Sequence, residues 1–268
     1  EIEELLLTGD LFRYTNEHSA VLNLERNFAL KIGSSYALAV SSCSAALFLA
    51  LKALNLGEKA RVLVPAFTFG AVPSAVVHAN CVPVLCECGM DYRIDIDDFL
   101  CKLESVDAVL ISHMRGHTSD MDKILFHCDR LELPVIEDAA HSLGTTWKGK
   151  NIGTFGQFGC FSFQSYKLLN SGEGGMLVTD DPDYFAKVVV MSGAYEHNWK
   201  KHQGEKEFFE KWQNLLPLFN MRLNNLSAAI VNAQLPYLNQ RVENGRRNHD
   251  LTAAMLSDSE WIHVPEKF

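Results

Sequence analysis

The chain has 268 residues, 47% of them hydrophobic and 21% charged, enough to bury a full α/β core, either as one large domain or as a domain with a fragment of another. Its 33 acidic side chains against 24 basic ones give a net charge of −9, which offers nothing to a nucleic-acid backbone, and no Lys/Arg-rich block makes a local exception. Apolar runs such as 37–40 and 45–51 fall far short of the roughly 20 residues of a membrane span, so no membrane anchor, no signal peptide and a small-molecule substrate are expected.

Apolar residues at helical spacing (Val21, Leu24, Phe28, Ile32) predict a helix over 20–32, stopped by Gly33. A second helix is expected over 44–54, capped by Ser42 or Ser44. Strands are predicted at 61–64, 82–87, 108–113, 134–138, 159–163 and 175–179, with helices at 68–80 and 120–128 among the connections. Repeated αβ units of this kind build a mostly parallel sheet with helices on both faces. Residues 195–219 are rich in charge, aromatics and His without a period, and predict a long loop or a short irregular helix. A helical period returns over 224–256, interrupted at Pro236.

The seven cysteines are odd in number and form no C-x-x-C, the pattern of reduced thiols in a cytoplasm. Cys86-Glu87-Cys88 lacks a second ligand pair at a fitting spacing and reads as core packing, so no metal is expected. Residues 144–151 fit G-x-x-x-x-G-K, but Asn151 stands where a phosphate loop needs Ser or Thr on Mg²⁺. The G-x-G-x-x-G of a dinucleotide-binding dehydrogenase is missing. The sequon Asn225-Leu226-Ser227 reads as accidental.

The chemistry concentrates between residues 135 and 180. Val135-Ile136-Glu137-Asp138 delivers a carboxylate to the C-terminal end of a central strand, where open α/β sheets hold their ligands. The strand at 159–163 delivers Lys167 after a short turn. Such a pair suits pyridoxal 5'-phosphate (PLP): the anion keeps the pyridine nitrogen protonated and the lysine holds the aldehyde as a Schiff base. Once released, the same amine moves a proton between substrate and cofactor. The competing readings, a surface lysine and a helix-capping acid, fit a buried-strand pattern beside a Gly-rich turn less well. Ser42-Cys43-Ser44, opening an alanine-rich helix, supplies hydroxyls and N–H groups for a phosphate.

Six separated motifs stand in order along the chain. They are Ser41-Ser42-Cys43-Ser44-Ala45-Ala46, Val64-Pro65-Ala66-Phe67-Thr68-Phe69, Glu137-Asp138-Ala139-Ala140-His141, Phe161-Ser162-Phe163 leading to Lys167, Gly172-Glu173-Gly174-Gly175, and Phe219-Asn220-Met221-Arg222-Leu223. Together they resemble the PLP-dependent aminotransferases of the DegT/DnrJ/EryC1/StrS family, which aminate keto-sugars and related cyclitols. The resemblance implies an α/β fold of fold-type I, the aspartate aminotransferase superfamily, with a mostly parallel seven-stranded sheet flanked by helices. It places a PLP-binding large domain over 1–225 and the start of a C-terminal small domain over 226–268. Members continue well beyond this length, so that small domain is expected to be incomplete here.

The resemblance also implies roles. Lys167, Asp138 and His141 form the catalytic set, with His141 near the cofactor's 3-oxygen. Ser42, Cys43, Ser44 and Ser162 surround the phosphate, and Phe69 stacks on the ring. Asn220 reaches the phosphate of the neighbouring subunit, which makes a homodimer with shared sites. Cys43 replaces the family's glycine. Ser44 also reads as a plain cap, Phe69 as an ordinary core residue and His141 as a satisfied buried histidine; Arg222 assists at the phosphate or binds substrate. The implied activity is transfer of an amino group from glutamate or glutamine to a keto or aldehydo sugar, nucleotide-linked or free, in the cytoplasm.

Leu11-Phe12-Arg13-Tyr14, residues 112–117 and the turn Phe163-Gln164-Ser165-Tyr166-Lys167 resemble a branch whose products include 8-amino octulosonate and aminocyclitol precursors. A truncated, inactive PLP-fold paralogue is the other alternative. Dehydratases of the family carry His in place of the lysine, so Lys167 speaks against them. Arg13, Arg115, His117 and residues 195–201 read either as contacts for an anionic sugar or as solvated surface.

Overall fold

Seven strands form one sheet, in the spatial order β1 (Tyr36–Val40), β9 (Gly175–Thr179), β8 (Phe158–Ser162), β5 (Val135–Asp138), β4 (Ala108–Ser112), β2 (Arg61–Pro65) and β3 (Val82–Cys86). This computed structural model describes residues 1–16 and 18–264, so residues 265–268 of the expected small-domain segment lie outside the described residues. β9 runs antiparallel to its neighbours β1 and β8, and the other pairings are parallel. The architecture is the mixed α/β one expected.

Side chains alternate between the two faces of each strand. Val109 and Ile111 enter one core, Ala108 and Leu110 the other; Val135 enters the first and Ile136 the second. The first core lies under α2 (Ala20–Ile32), α5 (Ile96–Leu103), α6 (Met121–Arg130) and α9 (Asn225–Gln234). The second lies under α3 (Cys43–Ala53), α4 (Ala71–His78), α7 (Pro182–Gly193) and α8 (Lys206–Trp212). In the first, Phe28 of α2 meets Phe161 and Phe163 edge to face at 5.2 and 5.7 Å. Each such pair contributes about 0.5–1.5 kcal/mol beyond its area.

The predicted helix 20–32 is α2, where Ser19 accepts from Leu22 N and Gly33, at φ 82, closes the end. Ser42, not Ser44, caps α3, accepting from Ala45 N. β1 is the strand that sequence periodicity passed over: Tyr36-Ala37-Leu38-Ala39-Val40 is apolar on both faces and two of its residues are alanine. The expected helix at 68–80 begins only at Ala71. Residues 195–219 hold a 3₁₀ turn at Asn198–Lys201 and α8. Pro236 lies in a 3₁₀ turn between α9 and α10 (Leu238–Leu256). Residues 144–151 form a ribbon of β6 (Thr146–Trp147) and β7 (Lys150–Asn151), not a phosphate loop. A short α1 (Ile2–Thr8) precedes them all.

Arg13 is neither a sugar contact nor surface. It is wholly buried, ion-paired with Glu25 at 2.6 Å, and donates to Ala39 O at 3.0 Å. Tyr14 Oη lies 2.8 Å from His202 Nε2 beside it. No helix among the described residues is long and apolar enough to cross a membrane.

Candidate active site

Period-two alternation sends Glu137 and Asp138 to opposite faces of β5. Asp138 turns towards the N-terminus of α3 at the C-terminal edge of the sheet. Its Oδ2 accepts from Ser112 Oγ at 2.8 Å, and Thr68 Oγ1 donates to that serine at 2.8 Å. Its Oδ1 accepts from Ala140 N at 3.1 Å and Cys43 Sγ at 3.7 Å. A carboxylate oxygen has two acceptor sites, so the one left open is on Oδ2. Burial, then the Asp138 charge, raises the Cys43 thiol well above its ordinary value, which keeps it a donor.

Glu137 faces the other way and is anchored there. It accepts from Gly153 N at 2.8 Å, Phe155 N at 2.6 Å and Gly156 N at 2.9 Å, and its Oε2 lies 3.1 Å from His113 Nε2. Burial pushes its carboxyl up, but the His113 bond and these N–H groups outweigh that and hold it below 4.5.

Lys167 stands in a loop pinned at its base. Phe163 N donates to Gly174 O at 2.8 Å, Ser171 N to Phe163 O at 2.9 Å and Ser165 N to Gly172 O at 3.0 Å; within the loop, Lys167 N donates to Gln164 O at 2.9 Å. Burial lowers the amine below its ordinary 10.5, against the opposing pull of Asp138. More of it is therefore neutral and nucleophilic near pH 7 than for a surface lysine. Half-buried His141 is also lowered, first by burial and then by the Lys167 charge; its Nδ1 accepts from Arg115 N at 3.4 Å.

Helix geometry leaves the Cys43 and Ser44 N–H groups without an intrahelical acceptor, so the start of α3 can hold an anion. A Cβ on Gly175 would lie 2.4 Å from Ser42 C and 2.6 Å from Cys43 N. Only glycine lets β9 come so close beneath that turn. Ser162 pairs with Gly175 in the β8–β9 ladder, beside it.

One cavity of about 790 Å³ joins these groups, within the usual range for ligand pockets. Ser42, Cys43, Ser44, Phe69, Asp138, His141, Ser162 and Lys167 all line it. Asn220 does not; it is exposed, next to Met221, whose carbonyl accepts from Ser41 N at 2.9 Å. Arg222 donates to Gly193 O at 2.9 Å and lies over the rings of Phe12 and Tyr195. Residues 195–201 line neither this cavity nor the cleft beside it: Tyr195 stacks with Phe12 at 6.3 Å and Lys201 bonds Tyr14 O.

Sequence reasoning did not find Ser112, Gln164, Tyr166 or Glu173 as site residues. Ser112 carried a usable signal, since it ends β4 and its register partner is Asp138. Arg115 lines the cavity with a left-handed backbone, φ 57, which costs a non-glycine residue roughly 1–2 kcal/mol. No group of three or more His, Cys, Asp or Glu able to hold a metal is found among the described residues.

The site can be set beside known proteins. SpsC of Bacillus subtilis (strain 168), a spore coat polysaccharide biosynthesis protein, is 34% identical over 245 residues, covering 89% of this chain and 61% of that protein. GDP-perosamine synthase of Escherichia coli O157:H7 is 29% identical over 273 residues, 97% of this chain and 72% of that one. The chain spans 50% to 58% of the length of three further relatives. The E. coli GDP-4-keto-6-deoxy-D-mannose-3-dehydratase, solved with bound hydrated PLP, superposes with a TM-score of 0.88 at 25% identity, over 99% of this chain and 71% of that one. The family model of the DegT/DnrJ/EryC1/StrS aminotransferases matches residues 3–267, and the chain belongs to that family.

Proposed function

We propose that this chain is the PLP-binding part of an aminotransferase that moves an amino group from glutamate or glutamine to a keto or aldehydo sugar. One observation carries the reading: Lys167 and Asp138 line the same cavity, the amine depressed by burial and the carboxylate keeping one open acceptor site. PLP, when bound, supplies an aldehyde that condenses with amines and a protonated ring that withdraws electrons from the bond being broken.

The residues present fit that group. Asp138 Oδ2 has room for one ring N–H. The N-terminus of α3, with Ser44 and Ser162, would take the phosphate in the cradle that Gly175 leaves open. Phe69 and His141, which line the cavity, would cover a ring face and approach the 3-oxygen, respectively. Lys167 Nζ would hold the aldehyde and, once released from it, would move a proton at the substrate carbon as general base and general acid. The depressed amine suits it to both.

The similarity to GDP-perosamine synthase and SpsC supports a sugar acceptor. Seven unpaired cysteines support a cytoplasmic setting. Exposed Asn220, outside its own cavity, supports a homodimer in which it serves the partner's phosphate. α9 packs on the first core, so the second domain expected over 226–268 is taken to start only after it, with α10, which buries only Leu238.

Reduction with borohydride in the presence of PLP should label Lys167, and adding glutamate beforehand should remove both the visible absorption and the label. An unlabelled Lys167 would overturn the proposal. Mixing Lys167→Ala with Asn220→Ala subunits should restore part of the activity; no recovery would remove the shared site.

A further inference from the structure

Residues 163–174, which carry Lys167, belong to no helix or strand, so their backbone groups need partners from elsewhere. Hydrogen bonds at the base hold the two ends of this loop. The stretch just beyond the lysine is held instead by two side chains from far along the chain. Gln234, the last residue of α9, donates from Nε2 to Asn170 O at 2.6 Å and accepts from Asn170 N at 3.2 Å on Oε1. Arg241 of α10 donates to Leu168 O and, at 2.8 Å, to the same Oε1. Asn170 in turn reaches back with Nδ2 to Lys167 O at 3.5 Å. Leu169, between the two clamped residues, is wholly buried in the first core.

The Gln234 amide has nothing left over. Its second N–H goes to Ile230 O at 2.9 Å, so both donors and both acceptor sites are engaged. A flipped amide would set its NH₂ group against the Asn170 N–H and the Arg241 guanidinium, and only one orientation satisfies the whole set. Gln234 lines neither the cavity nor the cleft beside it, so it reaches the chemistry only through the loop. Gln234 and Arg241 stand on either side of the 3₁₀ turn at Pro236. The angle between α9 and α10 and the path of residues 168–170 are therefore set together.

We propose that Gln234 and Arg241 are positioning residues for Lys167, fixing the backbone from which its amine enters the cavity. The role rests on the transaminase reading of that cavity. About 1 Å of misplacement of a reacting group costs on the order of 100-fold in rate, and this loop has no regular structure of its own to hold the lysine. Two side chains from the junction of α9 and α10 supply what a helix or strand would otherwise provide.

In cofactor-free protein, Gln234→Leu should speed hydrogen exchange at the Asn170 amide at least about tenfold, while the Ser171 amide, bonded to Phe163 O, stays protected. In PLP-loaded protein mixed with glutamate in a single turnover, the same variant should slow the loss of visible absorption at saturating glutamate at least about tenfold and move the half-saturating concentration less than about twofold. Arg241→Met should also slow that step, and Arg241→Lys, which keeps a cationic donor for Leu168 O, should recover part of the rate. Asn232→Ala, which removes a different bond from α9, to Ala20 O at 2.9 Å, should change neither readout. An Asn170 amide as slow in Gln234→Leu as in the parent, or a faster amide with an unchanged rate, overturns the role. If borohydride still labels Lys167 in the parent, only the positioning role falls; an unlabelled Lys167 overturns it together with the transaminase reading.

Discussion

Ser112 donates its hydroxyl hydrogen to Asp138 Oδ2 at 2.8 Å, from the end of the neighbouring parallel strand. Asp138 is thereby held in one orientation by the sheet itself, with Thr68 fixing the serine in turn. If the carboxylate keeps a ring proton in place, Asp138→Asn should retain folding and bound PLP while turnover falls at least about 100-fold. Ser112→Ala should lose about tenfold, the worth of one hydrogen bond to a charged group, and Ser112→Thr should restore most of it. Steady-state kinetics alongside the visible absorption spectrum check all three, and near-normal turnover in Asp138→Asn would contradict the assignment.

Lys167 gives a prediction about stability as well as chemistry. A lysine depressed on folding binds fewer protons in the native than in the unfolded state between its native value and 10.5. Stability therefore rises with pH across that window, and the full penalty applies below it. Cofactor-free Lys167→Met should melt no lower than the parent at about pH 7, with any advantage closing as the pH nears about 10. A clear loss of thermal stability at neutral pH would show that the amine helps hold the fold.

Gly175→Ala places a methyl group against the backbone of Ser42 and Cys43. Relieving that overlap costs about 1–3 kcal/mol and moves the start of α3. PLP affinity should drop at least about tenfold, measured by fluorescence titration of the cofactor-free protein. Unchanged affinity would mean that the helix start takes no part in holding the phosphate.

Glu137→Ala leaves the Gly153, Phe155 and Gly156 N–H groups without their acceptor. The loss should be at least about 3 kcal/mol in urea unfolding. Because Glu137 is held below 4.5 in the fold, its contribution is complete above about pH 4.5 and declines as the pH falls through the native value. The variant should lack that part of the parent's acid sensitivity, which unfolding curves collected at several pH values would show.

Much of this site could be read in the linear sequence because its chemistry sits at strand ends. Val135-Ile136-Glu137-Asp138 is an apolar run closed by acids, and buried parallel strands look like that before any partner is known. What could not be read depends on neighbours distant in the chain. Ser112 becomes a partner of Asp138 only because β4 lies next to β5, and sheet order is not written in either strand. Arg13 read as a sugar contact or as surface because Glu25, Ala39 and His202, which enclose it, lie 12, 26 and 189 positions away. β1 was missed for a different reason: burial on both faces erases the alternation that marks a strand.

That enclosure yields a further prediction. Arg13→Met leaves Glu25 buried without its partner and should cost about 3–5 kcal/mol, while Arg13→Met with Glu25→Leu should recover most of it. Burial, then the Arg13 charge, keeps His202 well below 6.5. The native state thus favours the neutral ring, and stability is lost as the pH falls below about 6.5. Chemical denaturation of the two variants across that range provides the check.

Two consecutive acids, Glu137 and Asp138, serve opposite sides of one strand, and this makes β5 intolerant of a one-residue slip. Such a shift would turn the loop-anchoring acid into the cavity and leave the cavity-facing position without its serine partner, so both tasks would fail at once. An insertion between Arg130 and Pro134 is therefore harmless only if the turn swallows it whole. A length-varied library of that turn should divide into fully working and fully dead members, with few in between.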